Sequence, residues 1–319
     1  MLAPESVRRG QVPLSLGAAA AAVGLVASVS PVLVLAPALL ALAAGLGVYA
    51  VVEAYVLGAN PFLEAAASLG GKNVQQVWAV YRATTTLGHP LENAAFFALG
   101  ATLALATAVR TGSRAYGLAA VCAIAGLAAT GSRGPTAALL VGVLWVLVAQ
   151  AGRVPRLRIG ALAAVLVLAA GAALVVQAGR SGSAEADSSS QYRAFTAQQG
   201  IDTVRDHPWL GVGAGASSVA KLEQGGSLAT LSYENGWLEA AVSNGVPFLA
   251  LLICLFVVAL VTAWRRRHVE AGAALAVAMI VMGNSNVLEG SRQGLIRFGF
   301  LLGLAWTPAM RDRPTYIRE

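Results

Sequence analysis

A chain of 319 residues that is 57% hydrophobic and only 12% charged, with a mean hydropathy of +0.69, carries about half the charge usual for a soluble domain. That balance excludes a soluble globular fold and leaves an all-α polytopic bundle of transmembrane helices, read as a single membrane domain over 1–319. The formal net charge of +7 is almost wholly arginine, since Lys72 and Lys221 are the only lysines. Cys122 and Cys254 fall in apolar runs, where a thiol behaves as a small hydrophobe. Two cysteines cannot make a four-ligand zinc site, and no metal, cofactor or nucleic-acid partner is expected.

Spans are read from uncharged intervals, because a charge at the bilayer centre costs on the order of 3 kcal/mol. Residues 10–52 are uncharged and Pro31 divides them, giving spans near 14–30 and 32–52. At about 1.5 Å rise per residue each is just long enough for roughly 30 Å of hydrocarbon. Further intervals lie at 93–109, 115–132, 134–152, 159–179, 240–264 and 271–288, with a shorter one near 293–308, making about nine spans. Within the polar segment 53–92, Val74, Val77, Trp78 and Tyr81 fall at i, i+3, i+4 and i+7, a one-faced interfacial helix over 73–82. The long polar stretch 180–237 opens with the flexible run SGSAEADSSS and continues as a helix around 192–205.

Arg110 and Arg114 share one short loop, Arg153, Arg156 and Arg158 the next but one, and Arg265, Arg266 and Arg267 another; Arg311, Arg313 and Arg318 close the chain. All four groups fall on one side, which the positive-inside rule makes cytoplasmic. Segments 53–92 and 180–237 then face outward, the latter as a long extracytoplasmic loop before the seventh span. Two spans before Glu53 leave Arg8 and Arg9 on the outer side. Either the first hairpin is one long tilted element, or the chain begins part-way through a longer architecture.

The outward segments hold the residues of chemical interest. Arg133, in TGSRGP, stands in a short outer loop where arginine is normally scarce; it either binds phosphate bidentately or snorkels to headgroups. Arg82 precedes ATTTLGHPLENAAF and could share the same anion, while His89 reads as a loop histidine before Pro90. In RDHPWLGVGAGASS, Gly211, Gly213 and Gly215 permit an anion-binding nest, with Arg205 and His207 beside it. YENGWLEAAV puts Glu234 and Asn235 at the mouth of a span, with Glu239 about one turn deeper. Glu234 could take a proton from a sugar hydroxyl if its neighbours raise its pKa above about 4.3, or simply favour a helix N-terminus. EGSRQGLIRFGF carries Arg292 and Arg297; the latter, at intramembrane depth, needs an anionic partner, either substrate or Glu289 or Glu239.

Ser132-Arg133-Gly134, the HPWLGVGAG stretch, and Glu234-Asn235-Gly236-Trp237-Leu238 followed by Val242-Ser243-Asn244-Gly245-Val246 resemble the O-antigen ligase and polymerase family of bacterial envelope glycosyltransferases. Arg82…Gly88-His89-Pro90…Asn93 is similar more loosely, and the whole resemblance covers about 75–304. It implies a multi-pass glycosyltransferase of the bacterial cytoplasmic (inner) membrane, inverting and metal-independent, with its active site extracytoplasmic. The implied partners are an undecaprenyl-pyrophosphate-linked glycan donor, a glycan or lipid acceptor, and membrane lipids. An acceptor hydroxyl attacks the anomeric carbon and the lipid pyrophosphate leaves. By position, Arg133 and Arg82 steady the pyrophosphate, Arg205 or Arg292 assists, and Glu234 serves as base; His207, Asn235 and Arg297 complete the substrate-binding set. Ligases carry histidine where this chain has Glu234, which argues for a polymerase or a non-lipopolysaccharide ligase. A transporter of lipid-linked glycan or small solute would show charges along several span centres and an internal repeat, and the sequence has neither. A non-catalytic membrane subunit of a polysaccharide assembly complex is disfavoured by the outer arginines.

Overall fold

The computed structural model describes residues 32–68, 81–151, 184–213 and 233–285, with scattered positions between 153 and 171. Among the described residues every regular element is helical: α1 (Val32–Val52, continuing as a π turn over Glu53–Leu57), α2 (Pro61–Ser68), α3 (Pro90–Thr111), α4 (Arg114–Ala129), α5 (Arg133–Gln150), α6 (Ala184–Asp206), α7 (Gly236–Asn244), α8 (Val246–Arg265) and α9 (Val269–Met282).

Four of these stretches, Pro37–Leu57, Pro90–Thr111, Arg133–Gln150 and Val246–Arg265, are long and apolar enough to cross a membrane, and α4 and α9 are shorter apolar helices. The Val246–Arg265 stretch makes the environment explicit. Its mean hydropathy is 2.9, yet only 22% of it is buried within the protein, so its side chains Leu251, Val257, Val258 and Val261 stand exposed. Such a surface is stable against lipid and not against water. The chain is a multi-pass membrane protein. The spans read at 14–30 and 293–308 lie outside the described residues, as does most of 159–179.

The helices approach through small residues, as bundles in lipid do when packing replaces hydrophobic exclusion. A Cβ at Gly126 of α4 would sit 2.6 Å from the Gly47 backbone of α1, and one at Gly47 would sit 2.2 Å from the Cys122 carbonyl oxygen. Gly142 of α5 lies where α3 and α9 meet it, with Thr102 and Val277 each under 3 Å from an added Cβ. Around these crossings lies a core rich in alanine, including Ala98, Ala101, Ala120, Ala123 and Ala273, with Phe97 fully buried among them.

Two sequence expectations change. The interval 240–264 is not one span: Gly245, at φ +84°, breaks it into α7 and α8. The Trp237 ring meets Phe256 about half-way along α8, with centroids 5.3 Å apart, so α7 and α8 form an antiparallel hairpin with Gly245 at its tip. Glu239 therefore lies towards that tip from Glu234, not deeper along a continuous span. Helix α6 starts at Ala184, so most of the run read as flexible is helical. Of the proposed interfacial helix only Tyr81 and Arg82 are described, and both lie outside any helix.

A side chain at Gly126 has no flexible neighbour to displace. Gly126→Val is expected to lower thermal stability by about 1–3 kcal/mol through overpacking and to reduce the folded yield in detergent. Gly117→Val, on the same helix but facing open space, should leave both near wild type.

Candidate functional site

The site begins with a buried acid. Glu53 ends a long uncharged stretch and is fully buried. One of its carboxylate oxygens accepts from the Tyr81 hydroxyl (2.8 Å), the Thr84 amide (2.7 Å) and the Thr84 hydroxyl (3.1 Å), and the other from the Thr85 amide (3.0 Å). A carboxylate out of water needs this many donors, because desolvation of an unsatisfied one costs several kcal/mol. Asn60 supports the same loop, donating to the Thr84 hydroxyl (2.6 Å) and the Thr85 carbonyl (2.7 Å). Asn93 donates to the Thr84 carbonyl and accepts from the Thr85 hydroxyl. These bonds hold Thr85 at φ +40°, a conformation a β-branched residue adopts only under constraint. Burial and the bond to Glu53 raise the Tyr81 pKa, which keeps its hydroxyl a donor.

This loop presents Arg82 to the far end of α4. The Ala83 amide donates to the Ala129 carbonyl (3.1 Å), and the Arg82 Nε to the Thr130 carbonyl (2.8 Å), satisfying oxygens that a helix C-terminus leaves open. The second arm of the guanidinium donates to the Ser132 hydroxyl (2.9 Å), one residue before Arg133. Arg133 is exposed at the first turn of α5 and makes no hydrogen bond or ion pair among the described residues. A cation at that end opposes the helix dipole, so amide groups and guanidinium together favour an anion. Gly134 is required beside it, since a Cβ there would fall 2.6 Å from Asn284 at the end of α9.

Glu234 and Asn235 arrive from the other side. The Asn235 side-chain oxygen caps α7, accepting from the Trp237 (3.0 Å) and Leu238 (3.1 Å) amides. The Trp237 indole donates to the Met279 carbonyl (3.1 Å) and anchors α7 on α9. Glu234 is ion-paired with Arg193 of α6. Beside that pair, burial, then the Glu234 and Tyr233 charges, push the Tyr192 pKa up to about 12. His89 caps α3, its Nδ1 accepting from the Leu91 amide (3.2 Å). Burial and the Arg82 cation lower its pKa, against opposing contributions from Glu92 and Glu234. His89 thus lies within electrostatic reach of both Arg82 and Glu234, and the two halves of the site open at one end of the bundle.

The glycine-rich segment has a different task from the anion nest expected of it. The Val212 amide donates to the Val242 carbonyl (2.8 Å), the Gly213 amide to the Ser243 carbonyl (3.0 Å), and the Val246 amide to the Pro208 carbonyl (2.8 Å). These amides close the end of α7 and are not free for a phosphate; Gly215 lies outside the described residues. Gly211, at φ +63°, comes so near α7 that a Cβ would sit 2.4 Å from the Val242 carbonyl oxygen. Arg205 is exposed and pairs with Asp202 at 3.3 Å. It stands three turns along α6 from Arg193, about 18 Å by helical rise, and His207 follows it, also exposed. Neither is brought to Glu234. Arg292 and Arg297 lie outside the described residues.

Sequence reading missed Glu53, Asn60, Thr84, Thr85, Tyr192 and Arg193. Glu53 had a visible signal, an acid ending a long uncharged run and followed by a triple-threonine loop. Arg193 had none, because its partner is 41 residues away.

Fold and site together define a polytopic helical membrane protein with arginines and a paired carboxylate gathered at one end of its bundle. Residues 118–253 match the family model described as O-antigen ligase, which bears out the resemblance over that segment and supports an O-antigen ligase-like membrane function. The matched segment includes Arg133, Arg193, Glu234 and Asn235; Arg82 lies before it. No curated protein matches the chain.

Because its folded pKa lies below the usual 6.5, His89 takes up a proton more readily once the chain unfolds. Its contribution to stability is complete above pH 6.5 and is lost as pH falls through the depressed value. Thermal stability of the detergent-solubilised protein should therefore drop below pH 6.5. His89→Asn, which keeps a capping oxygen but does not titrate, should remove part of that drop. His268, also shifted down by burial, contributes with the same sign.

Proposed function

We propose that the protein transfers a glycan from a polyprenyl-pyrophosphate donor to a hydroxyl acceptor at the outer face of the bacterial cytoplasmic membrane. The acceptor oxygen bonds to the anomeric carbon as the bond from that carbon to the pyrophosphate oxygen breaks, with inversion. The acceptor's proton passes to Glu234, and the lipid pyrophosphate departs with the bonding pair. Arg133 and Arg82 offset the charge developing on the leaving group, as fixed cations do when a phosphate oxygen becomes an anion. The observation that carries this reading is the Arg82 guanidinium bound to Thr130 and Ser132, one residue from Arg133, which has no partner among the described residues. Glu234 lies close enough for its charge to reach His89.

Glu234 is ion-paired with Arg193, and a carboxylate engaged in this way is not free to take a proton from an acceptor. We infer that an entering pyrophosphate draws Arg193 onto its oxygens and releases Glu234 to the acceptor. Asn235 keeps Glu234 in place through the α7 cap. A carboxylate where ligases carry histidine favours a polymerase or a non-lipopolysaccharide ligase. Whether the product is a lengthened glycan or an attached one is decided by the glycan profile of a deletion strain.

Arg133→Ala is expected to abolish glycan product while leaving the amount of membrane-inserted protein unchanged; full activity would sink the pyrophosphate assignment. Glu234→Gln should reduce turnover about 100-fold or more, the usual contribution of a general base, with donor binding retained. Arg193→Gln should instead weaken donor binding. Turnover should also be insensitive to a chelator.

A further inference from the structure

The opposite end of the bundle carries a second cationic site. The arginine-rich loops assemble there: Arg110 pairs with Glu270 at 2.6 Å, and Arg158 donates to the Val109 carbonyl at 3.1 Å. Beside them lies an open cavity of about 280 Å³, bounded by Trp145, Arg153, Trp264, Arg265, Arg267 and His268. Its lining includes three arginines and no acid; the neighbouring Glu270 is engaged by Arg110. Arg267 takes a left-handed turn at φ +60°, strained for a non-glycine residue, and this turn puts it in the wall. The Trp145 and Trp264 rings meet edge to face at 5.5 Å. Trp145 is seated against α9 by Gly272, where an added Cβ would fall 2.5 Å from the indole.

Two lining groups, the Trp145 indole N–H and the His268 Nε2, are buried without a hydrogen-bond partner among the described residues. Groups of this kind ordinarily find one. The cavity also adjoins lipid. Val257, Val261 and Trp264 fall on one face of α8 and are all exposed, so the face that meets acyl chains leads directly to the cationic wall.

We propose that this cavity binds the phosphate headgroup of an anionic phospholipid, with acyl chains along the Val257–Trp264 face and the phosphate among Arg265, Arg267 and the Trp145 N–H. Basic pockets at the cytoplasmic ends of transmembrane helices take anionic headgroups in this manner, and tryptophan suits the headgroup level. The lipid face, absent from a site for a soluble phosphate, favours a membrane ligand. The site is separate from the glycosyl-transfer centre, and its test does not read transferase activity.

The protein is reconstituted in nanodiscs of phosphatidylcholine containing a minor fraction of phosphatidylglycerol, re-extracted in mild detergent, and its retained lipid measured by native mass spectrometry. Phosphatidylglycerol should be retained in preference to phosphatidylcholine. Arg265→Gln with Arg267→Gln should reduce that retention about 30-fold, on the scale of two basic contacts. Arg114→Gln with Arg266→Gln removes the same charge outside the cavity lining and should leave retention unchanged. Trp145→Phe keeps the ring and removes the N–H, and should reduce retention several-fold even if the double arginine variant does not fold. Equal retention of the two lipids, or an equal loss in both double variants, would overturn the proposal. So would binding of inorganic phosphate to protein in pure phosphatidylcholine nanodiscs that displaces phosphatidylglycerol completely when both are present, since the ligand would then be a soluble phosphate.

Discussion

A single carboxylate withdrawn from water at the end of α1 sets the geometry on which the candidate site depends. Among the described residues, the donors to the Glu53 carboxylate all come from the 81–85 loop. That loop in turn reaches the Arg82 guanidinium to the end of α4 and the start of α5. The alternative, a buried acid without donors, is costly enough to exclude other loop conformations. The same contacts hold Thr85 in its positive-φ conformation, so local strain is balanced by hydrogen bonds that a mobile loop could not make. Arg82 is therefore a residue whose position is determined from two sides, by an acid on α1 and by carbonyls on α4.

The two ends of the bundle use their arginines differently. At one end Arg110 is neutralised by Glu270, while Arg153 and Arg158 lie over carbonyls of α5 and α3, so several cations there close helices. At the other end Arg82 is partly spent on a helix terminus, whereas Arg133 makes no such contact among the described residues. Positive charge at the first turn of α5 has no structural benefit, since the dipole there already favours an anion. An unpaired cation in that position is consistent with a ligand that supplies the negative charge.

The bundle was legible in the sequence because its signal is local. Uncharged intervals and arginine-bearing loops locate α3, α4, α5 and α9 to within a few residues, since lipid forbids charge along a span and each interval reports on itself. Arg133 and Glu234 were legible for a related reason: each is a charge at the boundary of an apolar run. What was not legible depends on contacts between distant segments. Gly245 reads as one more glycine until its left-handed φ turns a span into a hairpin. Gly211 and Gly213 have the composition of an anion nest, and only the nearby end of α7 shows that the amides at Val212 and Gly213 go to helix carbonyls. Arg193 is one arginine in a polar stretch until α6 lies against Glu234.

The hairpin changes how the acid can act. On a continuous span, Glu234 would sit at a fixed height. Just before the short α7 it is held by the Asn235 cap beside it, the Trp237 anchor on α9, and closure of the far end of α7 by the 208–213 segment. Its ion-pair partner, Arg193, stands on a separate helix. A carboxylate positioned by one element and neutralised by another can be uncovered without moving its own backbone. Only Arg193 need change partner, and a pyrophosphate gives a guanidinium more oxygens to grip than one carboxylate does. On the proposed reading, charge exchange at this pair would couple arrival of the pyrophosphate donor to release of Glu234 from its ion pair with Arg193.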